Sequence, residues 1–331
     1  MGAPAVSFIV PLYNCLPYSQ AMLASLQATM PAGLAHEIIL VDDGSTDGTR
    51  EWLKGGARGD HALHLGIGSR LQVLLNSQNS GYAKSNNRAA ASAKGDLFVL
   101  LNNDLVLRPG WLEPMLALHG GLARRGQAGA IGNVQYRVSD GAIDHTGIVI
   151  NAKAKPEHRK RAPVTERLRG FSLVPAVTGA CLLISAELWR TLGGFDEGYF
   201  NGCEDVDLCF RAAELGRTNA VALRSAVDHH VSASPNRNAR NEANAHRLAR
   251  SWAERLSRLA EMAWTQAYFE RYLPEPRDYP DRRLAGQAAL CRYGLRRRPP
   301  ARAAEGARAA LAIEFARWRS LEHAAASAPC P

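Results

Sequence analysis

The 331-residue sequence holds six cysteines and no C-x-x-C pair among them. A zinc ribbon or a thioredoxin-like site needs that spacing, so both are excluded. Cys15, Cys181, Cys203, Cys209, Cys291 and Cys330 are scattered through apolar stretches, the pattern of buried free thiols in a reducing compartment. Long apolar runs are lacking too. Val174–Ala186 is interrupted by Thr178 and Ser185 and falls short of the roughly 18 residues a membrane span requires. Val6–Leu12 has no basic flank and contains Pro11, so it does not read as a secretory leader. The expectation is a cytoplasmic protein that can sit on the inner face of a membrane. Residues 5–20 contain no Lys or Arg. That absence argues against a nucleotidyltransferase, the main alternative enzyme class, which needs a basic Gly-rich phosphate loop there. No internal repeat is present.

What is there is ordinary in bulk: 46% hydrophobic and 21% charged residues, enough for a sizeable core. The net charge is +9, which favours polyanionic partners such as nucleic acid, anionic lipid or a diphosphate. A non-catalytic nucleic-acid-binding protein is the alternative outside enzymes. It would need surface aromatics on its sheet, and Phe8 and Tyr13 are poor material for that, so no nucleic acid is expected.

Apolar runs and helical spacing alternate through the first hundred residues. Strands are predicted at Ala5–Pro11, Glu37–Val41, Leu71–Leu75 and Leu97–Leu101, and helices at Tyr18–Met30, from Thr49, and within Asn79–Lys94. Either Ser45 or Asp47 caps the second helix. Such alternation predicts a mostly parallel sheet with helices on both faces, and ligands then bind beyond the carboxyl ends of the strands. Those ends are polar: Tyr13-Asn14, Asp42-Asp43, Asn76 with Asn79, and Asn102-Asn103-Asp104. Further strands are expected at Gly129–Val134, Ala142–Ile150, Ala176–Ile184 and Asn219–Leu223, with helices at Ala186–Leu192 and Glu204–Leu215 and a basic loop over Lys153–Arg169. From about Asn236 Arg and Ala dominate and Lys is absent; Leu248, Trp252, Leu256, Leu259 and Met262 recur at helical spacing. Leu284–Tyr293 and Ala303–Trp318 are further helix candidates, with frayed residues after about His323. The expected division is 1–235 for the α/β domain and 236–331 for an Arg/Ala-rich helical extension.

Three polar segments carry candidate chemistry. Asp104 at a strand end offers a carboxylate beside amides, suited to Mg²⁺ or Mn²⁺, which one or two carboxylates plus phosphates commonly hold. Glu204, Asp205 and Asp207 lie within one helical turn and repel one another, which a metal or proton-transfer role would justify. On a helix, Glu204 and Asp207 share a face and Asp205 points elsewhere. In Asp228-His229-His230, either histidine suits a metal or a proton.

As a set, these segments resemble family 2 of the glycosyltransferases, which have the GT-A fold. The resemblance is carried by VPLYN at 10–14, EIILVDDGSTD at 37–47, Asn79-Ser80-Gly81-Tyr82 leading to Asn87, and LLNND at 100–104 with PGWL at 109–112. It continues through Thr178-Gly179-Ala180-Cys181, GGFDE at 193–197, EDVDLCFR at 204–211, and His229 with Ser234. It covers about residues 5 to 235, and the asparagine form of the metal motif is similar to the rhamnosyltransferase-like branch. What it implies is an inverting transferase for polysaccharide or glycoconjugate synthesis, moving a hexosyl or deoxyhexosyl group from a nucleotide-diphosphate sugar to a saccharide or lipid-linked acceptor. On the donor side it implies Pro11, Tyr13, Asn14, Asn79, Gly81, Asn87 and Asn103, with Asp42 and Asp43 holding the nucleoside. Asp104 and His229, with His230 as its rival, would bind Mg²⁺ or Mn²⁺. Asp205 would be the catalytic base. Thr178, Gly179, Ala180, Glu204 and Arg211 would line the acceptor side. The extension is expected to bring Arg296, Arg297 and Arg298 to an anionic membrane as a peripheral contact.

Overall fold

The computed structural model describes residues 5–57, 70–230, 241–274 and 279–327. Ser234, Cys330 and the expected 235/236 boundary lie outside them. Two compact units form: residues 1–148 with 158–241, and 149–157 with 242–331.

The first unit is built on a ten-stranded sheet. Strands β1 (Val6–Leu12), β2 (His36–Asp42), β3 (Arg70–Leu75) and β4 (Leu97–Leu101) run parallel in the order β4-β1-β2-β3. Every residue of β1 is buried, as a strand covered on both faces requires. Helices α1 (Leu16–Ala28), α2 (Thr49–Ala57) and α3 (Tyr82–Ser92) make the crossovers. Because β2 and β4 lie on opposite sides of β1, the chain reverses direction across the sheet there, which opens a crevice at the strand ends.

The remaining strands extend the sheet past β4. They are β5 (Leu105–Leu107), β6 (Ala128–Arg137), β7 (Ile143–His145), β10 (Phe171–Leu173), β11 (Cys181–Ser185) and β12 (Thr218–His229), with β8 (Ile148–Ile150) and β9 (Pro156–His158) forming a separate pair. β11 is antiparallel to both β4 and β6, and β12 is parallel to β6. The strand expected over Ala142–Ile150 is two, broken at Gly147, whose φ of 117° needs glycine. The loop expected over Lys153–Arg169 contains β9 and helix α5 (Val164–Arg169), which buries no residue and so has no apolar period to read. The strand expected at Asn219–Leu223 runs on to His229, across a register shift between Ala222 and Ala226. Between these strands, helix α4 (Glu113–Ala123) lies before β6, and α6 (Ala186–Leu192) and α7 (Glu204–Glu214) follow β11. Leu208 and Phe210 bury α7, whereas Leu215 at its C-cap is 52% exposed.

Apart from residues 149–157, which form most of the β8–β9 pair, the second unit is helical: α8 (Asn241–Tyr272), interrupted at Trp252 (φ −128°, ψ 26°), α9 (Arg282–Arg292) and α10 (Arg302–Ser327), which continues past His323. Asp281 caps α9 through the Leu284 N–H at 2.9 Å. Trp318 donates to Glu242 at 2.7 Å and stacks on His246 at 5.2 Å between centroids. Among the described residues no helix is long and apolar enough to cross a membrane. The five described cysteines are free thiols. Burial pushes the Cys209 thiol up to about 12.

Candidate active site

The crevice is lined by the carboxyl ends of β1, β2 and β4, the start of β11, the N-terminus of α7 and the end of β12. Asn14 and Cys15 after β1 both take left-handed φ, 54° and 58°, so the chain turns sharply into α1. Asn14 accepts from the Thr46 N–H at 2.8 Å and donates its own N–H to Ser45 at 2.9 Å, binding the β1 and β2 loops together. Asn103 closes the other side, donating to the Asn14 carbonyl at 3.2 Å and the Ser19 hydroxyl at 2.9 Å. Pro11 is buried within β1, and Tyr13 is half-buried at its end. Asp47, rather than Ser45, caps α2, accepting from the Thr49 N–H at 3.1 Å.

Asp42 and Asp43 are both buried. Asp42 accepts from the Ser45 N–H at 3.0 Å and pairs with Arg50 at 2.8 Å. Asp43 accepts from Asn76 at 2.7 Å and from the N–H groups of Ser80 at 2.8 Å and Gly81 at 2.9 Å. Both carboxylates therefore fix the loops that edge the crevice. Gly81 sits at φ 94°, ψ 164°, a conformation confined essentially to glycine, and a Cβ there would lie 2.5 Å from the Phe200 carbonyl. Asn79 supports the same turn, accepting from Gly81 N–H at 3.0 Å. Asn87 holds the 195–197 loop, accepting from the Phe195 N–H and donating to its carbonyl, each at 2.9 Å.

The acidic helix start behaves as its spacing predicts. Glu204 and Asp207 are buried, and Asp205 is half-exposed. Glu204 accepts from the Gly202 N–H at 2.5 Å. Asp207 pairs with Arg211 at 2.7 Å, and Arg211 also donates to the carbonyls of Leu192 at 2.6 Å and Gly194 at 2.9 Å. These bonds tie Arg211 to the end of α6. Asp205 accepts from the Gly179 N–H at 2.8 Å and from the Val206 N–H at 2.8 Å. The Gly179 carbonyl accepts from the Tyr82 hydroxyl at 2.8 Å, and the Ala180 carbonyl from the Asn102 N–H at 2.9 Å. Thr178–Ala180 thus joins Asp205 to the loop that carries Asp104. Burial, with Glu204 and Asp205 nearby, pushes the Tyr82 phenol well above its usual range, so it remains a donor.

Asp104 and His229 meet at the bottom of this edge. β5 follows the Asn102–Asp104 loop and pairs with the end of β12, Leu105 opposite His229. Asp104 Oδ1 and His229 Nε2 approach to 3.1 Å, both buried, yet neither atom is in hydrogen-bond geometry. His229 Nδ1 faces Gln135 Oε1 at 3.2 Å. With the amide so assigned, Nδ1 carries the ring proton and Nε2 turns a lone pair toward the carboxylate. Two acceptors in contact repel unless a cation or proton lies with them. The residues present therefore fit a divalent cation. His230 contributes its backbone N–H to the Asp104 carbonyl at 2.9 Å, while its ring lies 4.5 Å from that of Tyr18. Asp228 is ion-paired with Arg108. Among the described residues no three His, Cys, Asp or Glu side chains converge on one point, so a metal here would take the remaining ligands from elsewhere. Gln135 stands outside the motifs read from sequence, and Tyr82 stands inside one without an assigned role. The register of β6 on β12, Gln135 opposite Val227, is what brings Gln135 to His229.

The chain is similar to known proteins over most of its length. The y4gI protein of Sinorhizobium fredii is 31% identical over 266 residues, 76% of this chain, and the Myxococcus xanthus O-antigen biosynthesis protein RfbC is 29% identical over 255, 73% of this chain. The chain spans only 28% and 18% of their lengths. The N-acetylglucosaminyl-diphospho-decaprenol L-rhamnosyltransferase of Mycobacterium tuberculosis is 26% identical over 258 residues, 71% of this chain and 78% of that protein. The crystal structure of GalNAc-T7 with UDP, GalNAc and Mn²⁺ superposes with a TM-score of 0.61 at 16% identity, over 87% of this chain and 55% of that one, which establishes the GT-A architecture. The model of glycosyl transferase family 2 matches residues 7–192, and the chain belongs to that family.

Proposed function

We propose that the chain transfers a sugar from a nucleoside-diphosphate donor to an acceptor hydroxyl with inversion at the anomeric carbon. The observation that carries this reading is the buried contact of Asp104 with His229 at the strand-end crevice, on the same edge as the half-exposed Asp205. One or two protein ligands completed by substrate phosphates is the usual arrangement for Mg²⁺ or Mn²⁺. The Mn²⁺ and UDP in the GalNAc-T7 crystal structure support the same assignment. Bound there, the cation would offset charge on the departing diphosphate. Asp104 and His229 would hold it, with His230 a backbone support.

Asp205 acts as the general base. Its two accepted N–H bonds, from Gly179 and Val206, orient the carboxylate at a helix N-terminus. The acceptor oxygen forms its bond to the anomeric carbon as the carbon–diphosphate bond breaks, and the hydroxyl proton passes to Asp205. A single displacement inverts the centre. Asp42, Asp43, Asn79, Gly81 and Asn87 shape the donor pocket by holding its loops, and Pro11, Tyr13, Asn14 and Asn103 form its wall. Thr178, Gly179 and Ala180 border the acceptor, with Glu204 and Arg211 fixing the helix that presents Asp205. The catalytic region is 1–235. The relatives' names, an O-antigen biosynthesis protein and a transferase acting on a decaprenol-linked sugar, support a hexosyl or deoxyhexosyl transfer in cell-surface polysaccharide synthesis, on a saccharide or lipid-linked acceptor at the inner face of a membrane. The test is a panel of nucleotide-diphosphate sugars assayed for diphosphate release with and without Mn²⁺, with the product's anomeric configuration read by NMR. Release that is metal-independent for every donor, or a retained configuration, refutes it.

A further inference from the structure

Nearly all the net charge of the chain lies in one place. Residues 236–331 hold 18 Arg, no Lys and 10 acidic residues, a net +8 of the total +9. Within that region, the turn that closes α9 combines cationic and apolar exposure. α9 ends in paired backbone bonds, Gly294 N–H to the Cys291 carbonyl at 3.1 Å and Leu295 N–H to the Leu290 carbonyl at 2.9 Å, with Gly294 at φ 75°. In this type of helix end the residue after the glycine normally packs on the residue whose carbonyl it bonds. Here that pair is Leu295 and Leu290, and they stay 78% and 44% exposed, with Tyr293 beside them at 69%. Arg296, Arg297 and Arg298 follow directly. Arg297 and Arg298 are exposed, Arg296 is half-buried and donates to the Arg298 carbonyl at 2.8 Å, and Arg292 is paired with Glu270 at 3.0 Å.

We propose that this turn, residues 290–298, is a membrane-docking tip for an anionic bilayer, a reading that rests on the lipid-linked acceptor proposed above. Tyr293 and Leu295 enter the headgroup–acyl boundary, where an aromatic ring with a polar end and a leucine are both favoured. Arg296, Arg297 and Arg298 meet lipid phosphates at the same level. The Gly294 turn presents both sets from one short, hydrogen-bonded loop. The chemistry recognised is a negatively charged surface with an apolar layer beneath it.

The test is co-sedimentation of the full chain with vesicles of phosphatidylcholine alone and of an equal mixture with phosphatidylglycerol. The wild type is expected to bind the mixed vesicles, to release in high salt, and to leave the neutral ones unbound. Replacing Arg296, Arg297 and Arg298 by Ser removes about fivefold in affinity per residue, on the order of a hundredfold together. Leu295→Asp with Tyr293→Ser also abolishes binding. Both variants keep the wild-type melting temperature and the wild-type rate of diphosphate release without vesicles. Equal binding to neutral and anionic vesicles, or unchanged binding in either variant, overturns the proposal. So does a concentration-dependent dimer that Leu295→Asp dissociates, since the surface then belongs to a second copy. Vesicle binding without transfer to any acceptor refutes the enzymatic reading and leaves the tip standing.

Discussion

Among the described residues the sheet unit buries more of its acidic residues than the helical unit, where the buried Glu314 is paired with Lys155 and Arg317. Asp42, Asp43, Asp104, Glu204 and Asp207 are drawn inside the first unit, each 5% exposed or less. In the second, acids such as Glu242, Glu270 and Asp281 sit at or near the surface against arginines. Exposed pairs of that kind contribute about 0–1 kcal/mol each and tolerate loss. A buried carboxylate is costly unless hydrogen bonds or a cation answer it. Four of these five sheet-unit acids have hydrogen-bond partners within the chain; among the described residues Asp104 Oδ1 has His229 Nε2 beside it, out of bonding geometry. That contrast sets Asp104 apart from the acids that hold the crevice loops.

Asp205→Asn removes the half-buried acid at the start of α7 and should have the greatest effect on turnover. It is expected to lower turnover by about 10²–10⁴-fold while donor affinity holds. Steady-state rates and donor titration check this, and turnover above a tenth of wild type would remove Asp205 as the base. Gln135→Leu leaves every acid in place and should weaken Mn²⁺ binding by about 10–100-fold, the usual effect of losing a bond that orients a metal-ligating histidine. Unchanged calorimetric affinity would show that His229 needs no such support. Gly81→Ala tests the loop-building acids, since strain and the clash with Phe200 should cost about 1–3 kcal/mol. Denaturant titration measures it, and an unaltered midpoint would contradict the geometry.

The smallest expected effect is in pH dependence. Hydrogen bonds from His158 and Lys160 hold the Asp144 carboxyl well below its usual range against the opposing effect of burial. A lowered folded value means its contribution is complete above the unfolded value of about 3.9 and disappears as pH falls through the folded one. Asp144→Asn should therefore lower the melting temperature at neutral pH and flatten its decline in acid; parallel melting curves would exclude the linkage.

The four parallel strands are legible because each is an apolar run closed by polar turn residues; β1, β2 and β4 are buried on both faces and leave no other pattern, while β3 is half-buried at the sheet edge. β12 was read only in its apolar half. Arg224, Ser225 and Asp228 interrupt its far half, which is held by pairing with β5 and β6 rather than by side-chain periodicity. The site is legible as residue types at strand ends, and the spacing of Glu204, Asp205 and Asp207 puts Glu204 and Asp207 on one face and Asp205 on another; that the shared face is the buried one depends on tertiary packing. Sequence did not reveal that Asp42 and Asp43 bind their own loops, because a carboxylate facing a ligand and one facing a backbone N–H occupy the same turn motif. Gln135 was invisible for a related reason: its role depends on strand register, which no local pattern encodes.

Asp104 and His229, rather than His230, are the proposed holders of the divalent cation. Calorimetric titration of Mn²⁺ in the presence of inorganic pyrophosphate tests this on the wild type, Asp104→Ala, His229→Ala and His230→Ala. The expected result is saturable binding that Asp104→Ala abolishes, His229→Ala weakens and His230→Ala retains. Wild-type affinity in Asp104→Ala, or a greater loss in His230→Ala than in His229→Ala, would contradict it.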